Sequence, residues 1–188
     1  MKNGKSRLLI AMVGVLLSLC FAFEGLDISC ISAELIEAKA VSANRHALLI
    51  GVGKYNYDDK HTQVDLNTVS DVEAIKSVLK SPKYGFPEGS ITVLTTPELT
   101  TRVAIITAFK SLIEKTQKGD LVYFHYSGHG SALPDKSQRK LSGELQTLVP
   151  HDYDVTLPVP CNEITDKELR DLVAALSAKS PLLVTMVF

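Results

Sequence analysis

Short apolar runs alternate with amphipathic patterns along the chain from residue 45 onward. Four apolar runs have the length and composition of buried strands; they lie at residues 46–52, 91–94, 121–126 and 182–188. A short run that is almost free of polar residues is typical of a strand covered on both faces of a sheet. The segments between these runs repeat apolar residues every three or four positions, which predicts helices beginning near Ser70, Thr101 and Thr165.

The ends and buried faces of these helices can be predicted from local patterns. Ser70-x-x-Glu73 and Thr165-x-x-Glu168 both have the form of a capping box, and Gly119 suits the position just after a helix. The predicted buried stripes are Val72, Ile75 and Leu79 in the first helix, Val103, Ile106 and Ile113 in the second, and Leu169, Leu172, Val173 and Leu176 in the third.

An alternation of strands and helices predicts right-handed βαβ units and therefore the α/β fold class. We expect a mostly parallel central sheet with helices on both faces. Ligands of such sheets bind in the crevice beyond the carboxyl ends of the strands. The residues of interest therefore follow Val52, Leu94, Tyr126 and Phe188.

Composition narrows the functional classes. With 188 residues, 45% hydrophobic and 22% charged, the chain has the size and composition of one globular domain, and not of a disordered or collagen-like protein. The net charge of −1 offers no basic footprint, so we expect no nucleic-acid partner.

The first residues differ from the rest and have the pattern of an export signal. Lys2, Lys5 and Arg7 precede the uncharged run 8–23, and small residues permit cleavage after Ala22. We expect a signal peptide at 1–22, a linker at 23–44, and a domain at 45–188 that is exported to the periplasm or beyond. A retained membrane anchor and a lipidated chain are the alternatives, and only these would bring the protein to a membrane.

His129 is the candidate for proton transfer. It stands between Gly128 and Gly130 directly after the third strand, so a sharp turn is predicted to present it in the crevice. An imidazole suits general acid–base catalysis because its ordinary pKa lies near neutrality. A purely structural turn histidine is the alternative. A zinc site with His125 is disfavoured, since four-residue spacing in a strand and turn does not place both rings on one face.

The segment 119–130, which contains His125-Tyr126-Ser127-Gly128-His129-Gly130, resembles the histidine motif of caspase-like cysteine peptidases. The similarity is to the metacaspase and bacterial branch, and segments at 47–52, 70–72, 148–153 and 164–169 resemble the family in the same order. The resemblance extends from His46 to Phe188. It implies a caspase-like three-layer fold and cleavage of a peptide or protein substrate.

The resemblance implies roles for particular residues. His129 would assist a cysteine thiolate and protonate the leaving amine, while the N–H of Gly130 would help to hold the oxyanion. Asp71 would line a specificity pocket and favour substrates with Arg or Lys before the scissile bond. The alternative role of Asp71 is that of an acidic first residue of a helix, favoured by the macrodipole, and the two roles are compatible.

Asp152 and Asp154 lie in a stretch that resembles the calcium-responsive loop of metacaspases. The resemblance implies that they are candidate calcium ligands, with solvated turn residues as the alternative. The segment Ser142-Gly143-Glu144-Leu145-Gln146 replaces a more acidic run of the family, which weakens the case for calcium. We expect no required cofactor.

The resemblance also implies a nucleophilic cysteine in a segment after the fourth strand, and the sequence ends at Phe188 before it. Cys20, Cys30 and Cys161 are not placed after a strand, so none is expected to be the nucleophile. Whether Cys30 and Cys161 form a disulfide is left open. We therefore expect a peptidase sequence truncated before its nucleophile. The alternative is a non-catalytic module that binds a peptide or protein partner.

Overall fold

The computed structural model describes residues 43–56, 66–134, 144–154, 157 and 162–188. One compact unit extends from Asn44 to Phe188. The predicted signal peptide and nearly all of the predicted linker lie outside the described residues. No helix among the described residues is long and apolar enough to cross a membrane.

The described unit has seven strands and three α-helices in an alternating order. In chain order they are β1 (Arg45–Gly51), α1 (Thr68–Lys80), β2 (Ile91–Leu94), α2 (Arg102–Lys115), β3 (Leu121–Ser127), β4 (Gly130–Pro134), β5 (Glu144–Leu148), β6 (Ile164–Thr165), α3 (Asp166–Ser177) and β7 (Leu183–Val187). All four predicted strands and all three predicted helices are present.

The central sheet is parallel throughout its four strands. Its order is β2-β1-β3-β7, so β1 and β3 lie in the middle. The strands follow one another through crossover helices, as the sequence pattern predicts. The α/β fold class is thereby confirmed.

Both faces of the central sheet are covered, because successive side chains of a strand point to opposite faces. On one face, Leu48 of β1 and Phe124 of β3 belong to a buried cluster with Phe109 of α2 and Leu176 of α3. On the other face, Leu49 packs in a second cluster with residues of α1. This is why β1 has no polar side chain in its central part.

Two details of the predicted helices are wrong. Helix α1 begins at Thr68 with Asn67 as its N-cap and no side-chain cap bond, so Ser70 is inside the helix. Its hydroxyl donates to Asn67 Oδ1 at 3.0 Å on the exposed surface instead of closing a capping box. In α2 the side chain of Val103 is 72% exposed. The buried stripe of α2 consists of Ile105, Phe109 and Leu112.

Other helix-end predictions had mixed outcomes. The capping box of α3 is present, with Thr165 and Glu168 each bonded to the other's backbone N–H. Gly119 lies further from its helix than predicted, because α2 ends at Lys115 and Thr116 is the C-cap. Gly119 has a φ of 91° and serves the turn that leads into β3.

A second, antiparallel sheet lies in the stretch that the sequence pattern presented only as polar and turn-rich. It has the order β4-β5-β6. Strand β4 begins directly after the turn that ends β3. The small sheet therefore starts at the carboxyl edge of the central sheet, where the candidate site lies.

Candidate active site

The residues that follow β1 and β3 are neighbours at the carboxyl edge of the central sheet. The register pairs Gly51 with Ser127, and the N–H of Val52 donates to the carbonyl of Ser127 at 2.8 Å. Because the two central strands end level with each other, the chain segments that leave them meet above the sheet. The predicted site residues lie at this edge.

The backbone of His129 is fixed from the small sheet and from β3. Its carbonyl accepts the N–H of Val149 at 3.0 Å. The hydroxyl of Tyr126 is 3.0 Å from the same carbonyl and 2.8 Å from the carbonyl of Val149, so it bridges the turn and the end of β5. His129 lies in the short connection between the end of β3 and the start of β4.

Gly128 is needed because a side chain at this position would collide with its neighbours, and not because its φ is positive. The described glycines with positive φ are Gly85 and Gly119, so neither Gly128 nor Gly130 has a positive φ. A methyl group on Gly128 would lie 2.7 Å from Tyr126 Oη and 2.9 Å from Tyr126 Cζ. The glycine allows the turn to pass close over the Tyr126 ring.

Gly130 has a different environment. A methyl group there would meet only the carbonyl oxygen of Thr147 at 3.4 Å, which is ordinary contact. The register pairs Gly130 with Leu148, and the bond from Val149 N–H to His129 O makes this the pair that exchanges no ladder bonds. The N–H of Gly130 therefore points away from β5, as an oxyanion donor requires.

Asp71 is brought to the same edge by the first turn of α1. One oxygen of its carboxylate accepts the hydroxyl of Ser127 at 2.8 Å, and the pair is exposed. Helix α1 begins at Thr68, so Asp71 is in the first turn but is not the first residue of the helix. Asp71 thus contacts Ser127, the last residue of β3, and His129 follows two positions later in the chain.

His125 lies beneath Asp71 on the α1 face of β3. It is 8% exposed, and neither ring nitrogen has a hydrogen-bond partner among the described residues. Burial lowers the pKa of His125, and the nearby carboxylate of Asp71 partly opposes this effect. Burial therefore favours the neutral form of the His125 imidazole.

Tyr55 is a site residue that the sequence pattern did not identify. Its hydroxyl oxygen accepts the N–H of His129 at 2.7 Å, and its ring lies 4.9 Å from the imidazole, centroid to centroid. Burial raises the pKa of Tyr55 to about 12, and its hydrogen bond to the His129 backbone partly opposes this effect. Its position in the sequence could have indicated a role in the site, because Tyr55 follows β1 at the edge where His129 follows β3.

Asp152 caps a helix in this structure. Its Oδ1 accepts the N–H of Arg102, the first residue of α2, at 2.7 Å. Its other oxygen is 3.5 Å from Nδ2 of Asn162. Asp154 is half-buried, and its carbonyl accepts the N–H of Leu157. Within the parts of the chain that the structure describes, no group of three or more His, Cys, Asp or Glu side chains is arranged to hold a metal ion.

The chain has three cysteines, Cys20, Cys30 and Cys161, and all three lie outside the described residues. The described residues at this edge include His129, Gly130 and Asp71, and no cysteine is among the described residues. Residues 142–143 of the segment that replaces the acidic run of the family also lie outside the described residues.

Comparisons with known proteins identify the family of the chain. Residues 45–187 match the family model for the metacaspase, peptidase C14 domain. Metacaspase-1 of Eremothecium gossypii is 30% identical over 138 residues, which are 70% of this chain and 28% of that protein. Metacaspase-4 of Arabidopsis thaliana is 36% identical over 135 residues, which are 69% of this chain and 29% of that protein.

A solved structure shows the same fold. The crystal structure of a Geobacter sulfurreducens protein superposes with a TM-score of 0.54 and 27% identity, covering 77% of this chain and 49% of that one. The chain spans less than a third of the length of the two metacaspases above. The match nevertheless includes all the strands and helices that form the site. This chain belongs to the metacaspase family of the caspase-like cysteine peptidases.

Proposed function

We propose that this domain supplies the acid–base group, the oxyanion donor and the substrate pocket of a cysteine-type endopeptidase. The observation that carries the proposal is the shared edge of β1 and β3. There the fixed turn of His129, the outward N–H of Gly130 and the carboxylate of Asp71 lie together. Family membership supports the reaction class, and peptide or protein is the substrate class that follows from it.

In this reaction His129 takes the proton of a cysteine thiol. The thiolate attacks the carbonyl carbon of the scissile bond and forms a tetrahedral intermediate. The negative oxygen of this intermediate accepts the N–H of Gly130. As the C–N bond breaks, His129 gives its proton to the leaving amine. Water then attacks the thioester, His129 takes its proton, and the thiol is restored when the acid product leaves.

The thiol is the component that the described residues do not supply. We propose that none of Cys20, Cys30 and Cys161 is the nucleophile, because none follows a strand that ends at the crevice. A calcium ion is not needed for any step above. The carboxylate of Asp152, one of the tentative calcium ligands, is engaged by the first turn of α2.

Asp71 supports a preference for Arg or Lys before the scissile bond. Its carboxylate is exposed beside the His129 turn and is oriented by the hydroxyl of Ser127. The charged group of an Arg or Lys side chain would gain a charge-assisted hydrogen bond there. Because the site is open to solvent, we expect a contribution of about 1 kcal/mol, or roughly fivefold in affinity.

The pocket can be tested without a nucleophile by binding. The full chain is titrated calorimetrically with a blocked peptide that contains Arg and with matched peptides that contain norleucine or Asp. We expect the Arg peptide to bind best, and Asp71→Asn to remove its advantage. Glu73→Gln is the matched control, since Glu73 is an exposed acid on the same helix. Equal binding of all three peptides would reject the Asp71 assignment.

The reaction is tested with fluorogenic peptides that contain Arg, Lys or Asp, and by reading the coding DNA beyond Phe188. We expect no turnover by the 188-residue chain. Turnover that His129→Ala abolishes would show that one of its own cysteines reacts, against the proposal. A gene product with a cysteine segment after β7 should cleave Arg and Lys peptides. If its activity survives His129→Ala, the proposed chemistry is rejected. If the gene product binds peptides but does not cleave them, a non-catalytic module is favoured instead.

We also propose that the chain is exported and that residues 1–22 are removed. The basic start and the uncharged run 8–23 support this proposal. Amino-terminal sequencing of the protein recovered from a secreting host should begin at Phe23. A protein that begins at Met1 in the membrane fraction would favour the retained anchor.

A further inference from the structure

The side chain of Tyr55 contacts both the backbone and the ring of His129. Its Oη accepts the His129 N–H at 2.7 Å, and the two rings lie 4.9 Å apart with an interplanar angle of 39°. The contact joins residues 74 positions apart in the chain. It arises because β1 and β3 end level with each other, so the segments that leave them run together.

The rest of the molecule holds Tyr55 in place. Its ring packs against the buried cluster that includes Phe124 and Phe109. The N–H of its neighbour Asn56 donates to the carbonyl of His151 at 2.8 Å, which ties the segment after β1 to the segment after β5. These contacts hold the ring of Tyr55 in place beside the imidazole.

The backbone of His129 is held both at its carbonyl and at its N–H. Val149 N–H and Tyr126 Oη hold the carbonyl, as described above, and Tyr55 Oη holds the N–H. The carbonyl contacts fix the path of the chain but touch no atom of the imidazole. The tilted ring of Tyr55 lies against the imidazole and restricts its rotation about its side-chain bonds. With a pKa raised to about 12, Tyr55 stays a neutral phenol while an imidazole near it gains and loses protons.

We propose that Tyr55 is a positioning residue for His129: its hydroxyl fixes the backbone N–H of His129, and its ring sets the orientation of the imidazole. The functional meaning of this inference rests on the proposed role of His129 as the proton carrier. Tyr55 takes no proton itself in the reaction. It acts by keeping one imidazole orientation populated before substrate arrives.

The test separates the hydroxyl from the ring by two substitutions. Tyr55→Phe removes the hydrogen-bond acceptor and keeps the ring, whereas Tyr55→Leu removes both. Tyr84→Phe is the control, since Tyr84 is 42% exposed and is not among the contacts of His129 described above. Each full-length variant is labelled with ¹⁵N and ¹³C and examined by NMR, with thermal unfolding recorded in parallel.

In Tyr55→Phe we expect the His129 amide to exchange with solvent about 2- to 10-fold faster, as for the loss of one hydrogen bond. The Cε1–H resonance of His129 should stay near its wild-type position in Tyr55→Phe and move in Tyr55→Leu, because the aromatic ring shifts it. Tyr84→Phe should change neither. If Tyr55→Leu does not fold, the amide exchange in Tyr55→Phe alone decides the first half of the proposal.

A lower melting temperature with unchanged His129 signals in Tyr55→Phe and Tyr55→Leu would overturn the inference, since Tyr55 would then only stabilise the fold. These signals report the geometry of His129 whether or not a peptide is bound or cut. If they respond as expected while His129→Ala leaves peptide cleavage by the nucleophile-containing gene product intact, the positioning role stands and the proposed function fails. The two failures are thus distinguishable.

Discussion

The turn that carries His129 can be examined by adding one methyl group at each of its two glycines. Gly128→Ala places a methyl 2.7 Å from Oη, 2.9 Å from Cζ and 3.1 Å from Cε1 of Tyr126. The Tyr126 side chain cannot move away at low cost, because it is 3% exposed and its hydroxyl bridges two carbonyls. Either the backbone at Gly128 must move away from Tyr126 or the Tyr126 ring must be displaced.

The expected cost follows from these contacts. Overpacking of a well-packed site costs about 1–3 kcal/mol, and loss of a buried hydrogen bond adds about 1 kcal/mol. We therefore expect Gly128→Ala to lower the free energy of unfolding by about 2–4 kcal/mol. For a domain of this size that corresponds to a fall in Tm of roughly 5–15 °C.

Gly130→Ala is the matched variant. Its methyl group would meet only Thr147 O at 3.4 Å, and Gly130 does not have a positive φ. We expect a change in the free energy of unfolding of less than about 0.5 kcal/mol, as for substitutions that strain nothing. Urea and thermal unfolding followed by circular dichroism measure both values. Equal stability of the two variants would refute the assignment of Gly128 to close packing over Tyr126.

Three further predictions concern other parts of the domain. Burial lowers the pKa of His125, so its contribution to stability is complete above its unfolded pKa of about 6.5 and falls as the pH drops below this value. Between pH 7 and pH 5, the His125→Gln variant should therefore lose less stability than the wild type, as measured by urea unfolding. Equal losses of stability in the two proteins would contradict this. Thr165→Ala should lower the free energy of unfolding in urea by about 1 kcal/mol because it removes a helix cap, whereas Ser70→Ala should leave it almost unchanged. Equal losses in the two variants would show that Ser70 also caps a helix. Phe109→Ala should cost about 3–5 kcal/mol in the same measurement, whereas Val103→Ala should cost less than about 0.5 kcal/mol, and a large effect at Val103 would contradict its exposure.

Elements with one dominant local signal could be predicted from the sequence. Strand β1 is covered on both faces, so its apolar run identifies it without any knowledge of its partners. The capping box of α3 is equally local, since Thr165 and Glu168 satisfy each other's backbone groups. The placement of His129 on a turn after β3 followed from the same reasoning.

The remaining features depend on contacts between distant segments. Strand β5 contains Gln146 and Thr147, and it becomes a strand by pairing with β4 and β6 on either side. The periodicity of α2 allows more than one apolar stripe, and packing against the sheet buries the one that contains Phe109 and excludes Val103. Tyr55 could not be assigned to His129 before the relative register of β1 and β3 was known.

The hydrogen bonds described above for His129 have a consequence for the order in which the protein assembles. Tyr55 comes from the segment after β1, Tyr126 from β3, and Val149 from the segment after β5. The contacts with Tyr55 and Val149 join residues that are distant in the chain, and such contacts form late because loop closure must precede them. A nascent or partly folded chain therefore has its histidine but not the histidine's fixed geometry. For an enzyme that would cut polypeptides, this delays reactivity until the chain has reached its native state.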